Sequence, residues 1–164
     1  MKMLAELDAK DYEPDLPVSF REAVRAIIRC GDRIAMVYSE AEHYYKFPGG
    51  GIEPGESHLE ALVREVREET GLLVKHDSVR EFGMVHEKRK STMAEELFEQ
   101  KSYYYIAEVE DTAVSQDLDD YEAELGYGLE WTDIRTAYMC NRSVVENRYI
   151  DMIRREAYVL GLLL

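Results

Sequence analysis

One stretch of the chain, residues 47–74, constrains the fold more than any other and reads FPGGGIEPGESHLEALVREVREETGLLV. It marks both ends of a helix. Ser57 and Glu60 form the capping-box pattern of a helix start, and Gly71 is the left-handed residue on which many helices end. The pattern therefore predicts a helix over about 57–70. Its apolar residues recur at helical spacing and form one stripe that packs on a sheet, namely Leu59, Leu62, Val63 and Val66.

The acidic residues of this helix are poorly placed for helix stability alone. Glu65, Glu68 and Glu69 fall on one narrow arc, near the negative C-terminal end of the helix dipole. Like charges at these spacings repel by roughly a few tenths of a kcal/mol per pair. A divalent cation removes the repulsion, and a carboxylate cluster without histidine or cysteine suits magnesium or manganese better than zinc. The charge pattern alone, however, favours an ordinary solvated acidic face.

The glycine run before the helix shifts that balance. Without a Cβ, the backbone of Gly49 to Gly51 can approach a metal or a phosphate closely. The run matches neither the Walker nor the dinucleotide-binding fingerprint, so by itself it is also compatible with a flexible loop. Combined with the carboxylates, it favours a metal site.

The stretch as a whole resembles the Nudix box, the signature of the Nudix hydrolase family. That signature is a glycine, five residues, a glutamate, seven residues, and then Arg-Glu-apolar-x-Glu-Glu-x-Gly-apolar. All nine specified positions are present at the family's spacing, and they are Gly50, Glu56, Arg64, Glu65, Val66, Glu68, Glu69, Gly71 and Leu72. The flanking segments FPGG and LEWTDI also resemble family features. Phe47 stands where the family frequently has tryptophan.

The resemblance implies the Nudix fold and the family's chemistry. The fold would be α+β, an α/β/α sandwich with a mixed β-sheet between helices, which agrees with strands grouped around two helices without regular β-α-β alternation. The reaction would be cleavage of a phosphoanhydride bond in a nucleoside diphosphate linked to another group. Nucleoside triphosphates, ADP-ribose, nucleotide sugars and dinucleoside polyphosphates all remain open as substrates. A ligand-sensing Nudix domain that binds without cleaving is the alternative.

Carried over by position, the resemblance also assigns roles. Mg²⁺, with Mn²⁺ as a substitute, would be held by Glu65, Glu69, Glu68, Gly49 and Gly50, the glycines through a backbone carbonyl. Glu68 is either a further ligand or the group that holds the attacking water. Arg64 would pair with Glu56 or Glu68 and fix the loop against the helix, so Glu56 is expected in a supporting role at the catalytic site. No motif identifies the substrate-binding residues.

The general base is not identified by any motif. A box glutamate is one candidate, and the others are loop acids that are each more typical of a solvated surface, namely Glu95, Glu96, Glu99, Glu122 and Glu124. The four histidines have no ligand spacing. The tyrosines at 44–45 and 103–105 are expected mainly in packing, although they could stack a nucleobase.

Chain length and net charge limit the number of domains and the kinds of partner. A chain of 164 residues suits one domain, predicted over 18–164 after an N-terminal leader, 1–17. Its last helix is predicted to begin at Ser143, with Glu146 completing a capping box. The net charge of −14 disfavours a DNA or RNA duplex as partner. A small phosphate substrate remains compatible when metal cations stand between it and the carboxylates.

The cysteines and the apolar segments of the sequence indicate where the protein is located. Cys30 and Cys140 are far apart and predict reduced thiols. No signal-peptide or membrane-spanning run is evident, so a cytoplasmic, soluble protein without a membrane partner is expected. A homodimer is the commonest oligomer and is left open.

Overall fold

The computed structural model of the protein describes residues 1–164, which contain nine strands, four α-helices and a short 3-10 helix at His76–Ser78. The strands are β1 (Met3–Asp8), β2 (Val18–Cys30), β3 (Arg33–Ser39), β4 (Tyr44–Lys46), β5 (Leu72–Val74), β6 (Arg80–Lys90), β7 (Leu97–Ala107), β8 (Val109–Ala113) and β9 (Tyr127–Asp133). The helices are α1 (His58–Thr70), α2 (Asp120–Glu124), α3 (Ile134–Ser143) and α4 (Ile150–Leu162). No helix has both the length and the apolarity needed to cross a membrane.

Seven strands form one mixed sheet in the order β1-β6-β7-β2-β3-β4, with β9 on the other side of β3. The β1–β6 and β2–β7 pairs are parallel and the remaining pairs are antiparallel. Strands β5 and β8 form a separate antiparallel pair. Helix α1 packs on one face of the sheet and α4 packs within the core on the other face. The predicted α+β class, with a mixed sheet between helices, is confirmed.

Alternate residues of β2 serve the two faces because side chains of a strand alternate in direction. Val24 and Ala26 contact α1, where Leu62 and Val66 of the predicted apolar stripe are fully buried, whereas Leu59 in the first turn is exposed. Ile27 points to the opposite face and joins the core beneath α4. Strand β2 thus packs against α1 on one face of the sheet and contributes to the core beneath α4 on the other face.

Helix α1 begins and ends as the sequence predicts. The Ser57 side chain accepts from Glu60 N–H, and the Glu60 carboxylate accepts from Ser57 N–H, which completes the capping box. At the other end Gly71 is left-handed, with φ 73°, and its N–H donates to the Arg67 carbonyl. The predicted helix is confirmed at both caps.

The glycine loop, which contains Gly49, Gly50 and Gly51, runs antiparallel beside β2. Val24 N–H donates to the Gly50 carbonyl (3.0 Å) and Ala26 N–H donates to the Pro48 carbonyl (2.8 Å). Gly49 has φ 136°, and a Cβ at this position would overlap the Val24 carbonyl oxygen. Only glycine fits there, because the backbone conformation and the close approach each exclude a side chain.

The C-terminal helices hold the segment that leads into the loop. The Asn141 side chain of α3 accepts from Tyr45 N–H (2.8 Å) and donates to the Tyr45 carbonyl (2.8 Å). The Glu156 carboxylate of α4 accepts from Phe47 N–H (2.7 Å). These buried side chains complete the hydrogen bonding of β4 on its free edge, where no further strand pairs.

One strand of the structure was not predicted, and one predicted helix start is wrong. Within the predicted leader 1–17, β1 pairs with β6 at the edge of the sheet, a long-range parallel pairing with no local sequence signal. The predicted start of the last helix at Ser143 is wrong. Ser143 is the last residue of α3, and its Oγ donates to the Cys140 carbonyl (2.7 Å). Asp133 caps α3, and α4 starts only at Ile150.

We expect Asn141→Ala to lower the free energy of unfolding by about 2–4 kcal/mol, because two buried backbone groups of Tyr45 lose their partner. Denaturant unfolding followed by circular dichroism measures this change. Arg135→Ala on the same helix is the control, since Arg135 is exposed, and it should shift stability by less than about 0.5 kcal/mol. Equal effects of the two substitutions would contradict the role of Asn141.

Candidate active site

Arg64 of α1 links the helix to the glycine loop through hydrogen bonds. Its Nε and Nη2 each lie 2.8 Å from a different oxygen of Glu56, and Nη2 also donates to the Gly51 carbonyl (3.1 Å). Nη1 donates to Glu65 (2.9 Å) and Glu68 (3.2 Å). The hydrogen bonds from Arg64 lower the pKa of Glu56, and Glu56 in turn raises the pKa of Arg64. Both groups therefore stay charged, and the loop is fixed by bidentate pairing.

Three carboxylates converge next to this pair. Oxygens of Glu65, Glu69 and Glu122 all lie within 4.8 Å of one another. Glu69 is 1% exposed, accepts from Gly49 N–H (2.8 Å) and pairs with the Lys46 ammonium. The cluster therefore lies where the end of α1 faces the glycine loop.

Glu122 reaches the cluster because the segment before α2 is fastened to the end of α1. Val114 N–H donates to the Gly71 carbonyl (2.8 Å), and Asp117 N–H donates to the Glu68 carbonyl (2.8 Å). These bonds use carbonyls that a helix end leaves without an intrahelical partner. They place α2 beside the carboxylates of α1.

The carboxylates of the cluster perturb one another. Burial, followed by the charge of Glu69, raises the pKa of Glu65. The same two causes raise the pKa of Glu122 to about 7. Part of the cluster is therefore protonated at neutral pH when no cation balances it. Deprotonation of such a group accompanies metal binding.

The structure brings the predicted site residues together with one difference. Glu65 and Glu69 lie in the cluster. Glu68 lines the same cleft but is held by Arg64, outside the three convergent carboxylates. Of the five loop acids considered for the general base, Glu122 is the one that lies in the cluster, a placement that no local sequence signal distinguished.

The two glycine carbonyls differ in their surroundings. The Gly50 carbonyl accepts from Val24 N–H, whereas the Gly49 carbonyl has no protein donor. A Cβ at Gly50 would overlap the Glu65 carboxylate, so glycine is needed for the helix to approach the loop. The Gly49 carbonyl is the one left available to a ligand.

A cleft of about 660 Å³ extends from this cluster. Acidic residues from α1 and the α2 segment line one part of it. Arginine and aromatic residues line the rest, including Arg21, Arg25, Arg89, Phe98 and Tyr149. The cleft therefore has an acidic half and a basic half. The tyrosines 103–105 do not line it.

The NUDIX domain family model matches residues 19–152 of the chain. The chain belongs to the Nudix family. The predicted family, and the class of Nudix hydrolases acting on phosphorus-containing anhydrides, are confirmed at this level.

Solved structures with the same fold agree with this membership. A NUDIX hydrolase from Nitrosomonas europaea superposes with a TM-score of 0.59 at 19% identity, covering 86% of this chain and 90% of that one. The ORF135 protein of E. coli gives 0.55 at 20% identity, covering 89% and 92%. The MutT protein from Bacillus halodurans gives 0.53 at 21% identity, covering 73% and 72%. At these identities the likeness shows the shared fold.

We expect the stability of the metal-free protein to fall with rising pH through the titration of Glu122. Its folded-state pKa of about 7 lies above the ordinary value of 4.5, so the folded state binds more protons than the unfolded state between these values. The contribution is fully present below pH 4.5 and is lost as pH rises through about 7.

Urea unfolding in EDTA at several pH values from 4.5 to 8 tests this expectation. Glu122→Gln should flatten the decrease, whereas Glu124→Gln, which removes an exposed carboxylate from the same short helix, should leave it unchanged. The same slope in all three proteins would show that Glu122 does not titrate as described.

Proposed function

We propose that the protein is a metal-dependent pyrophosphohydrolase that cleaves a phosphoanhydride bond in a nucleoside diphosphate linked to another group. The observation that carries the proposal is the convergence of Glu65, Glu69 and Glu122 beside the glycine loop. An uncompensated cluster of this kind is unfavourable, as the raised pKa values of Glu65 and Glu122 indicate.

The donor set fits a hard divalent cation, Mg²⁺ with Mn²⁺ as a substitute. Glu65, Glu69 and Glu122 would hold it together with the Gly49 carbonyl, and all of these donors are oxygens. When bound, such a cation neutralises phosphate charge and lowers the pKa of a bound water. An acidic site can then accept an anionic substrate.

Glu68 is assigned to the attacking water. It lines the cleft outside the three convergent carboxylates, and Arg64 fixes its orientation from 3.2 Å. In the reaction the water oxygen forms a bond to phosphorus, the anhydride P–O bond breaks, and the water proton passes to the Glu68 carboxylate. The two products each carry a phosphate. Arg64 and Glu56 act as positioning residues.

Location and partners complete the proposal. The substrate is a small nucleotide-type diphosphate, and the net charge of −14 argues against a nucleic-acid duplex. Cytoplasmic location and a homodimer remain predictions. So does the boundary of the domain at residue 18.

We expect Glu65→Gln and Glu69→Gln to lower metal-dependent turnover by about 100-fold or more, because each removes a charged ligand. A panel of nucleoside triphosphates, ADP-ribose, nucleotide sugars and dinucleoside polyphosphates is assayed for phosphate-containing products with magnesium and with manganese. Calorimetric titration with Mn²⁺ should show affinity weakened by at least about tenfold in both variants.

Glu124→Gln is the matched control and should keep wild-type turnover and Mn²⁺ affinity. Undiminished turnover in both cluster variants would reject the assigned ligands. Tight nucleotide binding without any product from the wild-type protein would instead support the ligand-sensing alternative.

A further inference from the structure

The basic half of the cleft is built on one face of the sheet. Arg21 of β2 pairs with Gln100 of β7, and Phe98 of β7 pairs with Arg89 of β6. Residues paired across strands point to the same face, and so do alternate residues of one strand, which adds Arg25. Two strands, β2 and β6, therefore present arginine side chains to the cleft, and β7 between them presents Phe98 and Gln100.

Arg25 is buried without an ionic partner. It is 6% exposed, and its single hydrogen bond runs from Nη1 to the Val24 carbonyl (3.2 Å). No carboxylate lies within 4.0 Å of its guanidinium. In the whole protein, two buried side-chain nitrogen or oxygen atoms lack a hydrogen-bond partner, and these are Nε of Arg25 and Nε of Arg89. Both residues line this cleft.

A buried charge without a partner destabilises a fold, so stability does not explain Arg25. Other cations of the cleft are already neutralised. Lys46 pairs with Glu69, and Arg155 pairs with Glu87 (2.7 Å) and with Glu156. The uncompensated charge is concentrated on the arginines of β2.

Arg21 extends this charge to the edge of the carboxylate cluster. It forms no hydrogen bond or ion pair, and a Cβ at Gly51 would lie 3.1 Å from its Nη2. The preceding glycine, Gly50, lies against Glu65. Partial desolvation of the guanidinium in the cleft, followed by the charges of Arg25 and Arg155, lowers the pKa of Arg21. Arg21 therefore lies beside Gly51, and the adjacent glycine of the loop, Gly50, lies beside Glu65, a proposed metal ligand.

Arg89 lies at the outer end of the same face. Its guanidinium carbon is 4.4 Å from the centroid of the Phe98 ring, so the side chain is oriented by stacking. Nε lies 3.4 Å from Asp151 Oδ2 without forming a hydrogen bond. The Nε donor of Arg89 thus has no hydrogen bond, while Asp151 partly balances the charge of this outer arginine.

We propose that Arg21 and Arg25, extended by Arg89, form a subsite for a phosphate beyond the two that flank the scissile bond. This inference rests on the proposed function, which places the scissile diphosphate at Glu65, Glu69 and Glu122. A separate arginine subsite then requires a further acidic group, since guanidinium groups bind phosphate through paired hydrogen bonds. The substrate class is therefore compounds with three or more consecutive phosphates, namely nucleoside triphosphates or dinucleoside polyphosphates.

The first test measures binding without turnover. Inorganic tripolyphosphate and pyrophosphate are titrated calorimetrically into the protein in EDTA at low salt. The wild-type protein should bind tripolyphosphate more tightly than pyrophosphate, and Arg25→Gln and Arg21→Gln should each weaken tripolyphosphate binding by about tenfold or more. Arg21→Gln alters an exposed residue and therefore keeps the test decisive if the buried Arg25→Gln variant fails to fold.

Arg29→Gln is the matched control. Arg29 lies on the same strand, is exposed, and donates to the Leu163 carbonyl outside the cleft, so its substitution should change binding by less than about twofold. Wild-type protein that binds neither anion, or arginine variants that bind like the wild type, would overturn the subsite.

The second test compares substrates in magnesium. Arg25→Gln and Arg21→Gln should lower kcat/KM for a nucleoside triphosphate by about tenfold or more, mainly through KM, and change kcat/KM for ADP-ribose by less than about threefold. Equal losses on both substrates would contradict a third-phosphate subsite. Arginine-dependent tripolyphosphate binding without any turnover would reject the hydrolase and keep the anion subsite, so the two failures are distinguishable.

Discussion

The buried carboxylate of Glu69 is the contact on which the rest of the site depends. It lies near the end of α1, accepts from Gly49 N–H, and pairs with Lys46 of β4. Helix, glycine loop and sheet edge therefore meet at one side chain that is almost inaccessible to water. Because a buried carboxylate is costly unless several partners satisfy it, this contact fixes the loop and helix in one relative position.

The remaining framework supports that contact from a distance. Arg64 fastens the loop to the helix from the other side, and Asn141 and Glu156 hold the strand that carries Lys46. The C-terminal helices are thus not only a layer over the sheet. They supply the hydrogen bonds that place β4 and the start of the glycine loop.

The cleft separates two kinds of charge. Carboxylates converge at the proposed cation site, and Arg21 and Arg25, which have no carboxylate partner, lie on the neighbouring strand β2. An acidic chain can therefore act on an anionic substrate without a basic outer surface. In the proposed function the carboxylates carry the reaction, and in the proposed subsite the arginines select for the number of phosphates in the substrate.

Local patterns predicted the parts of the structure that depend on neighbouring residues. The caps of α1, the buried Leu62 and Val66 of its apolar stripe, and the convergence of Glu65 with Glu69 follow from helix geometry. Glu122 could not be chosen among the loop acids, because its position depends on hydrogen bonds between the loop and the end of α1. Strand β1 was missed because its pairing with β6 is long-range. The capping pattern at Ser143 gave a wrong helix start, because Ser143 is the last residue of α3, the helix that Asp133 caps.

The most direct test of the central claim is a crystal structure of the protein with Mn²⁺, in which anomalous scattering locates the ions. We predict an anomalous peak coordinated by oxygens of Glu65, Glu69 and Glu122, with Lys46 displaced from Glu69 or sharing it with the ion. Manganese bound elsewhere on the protein, with the three carboxylates and the Lys46 pair unchanged, would contradict the account.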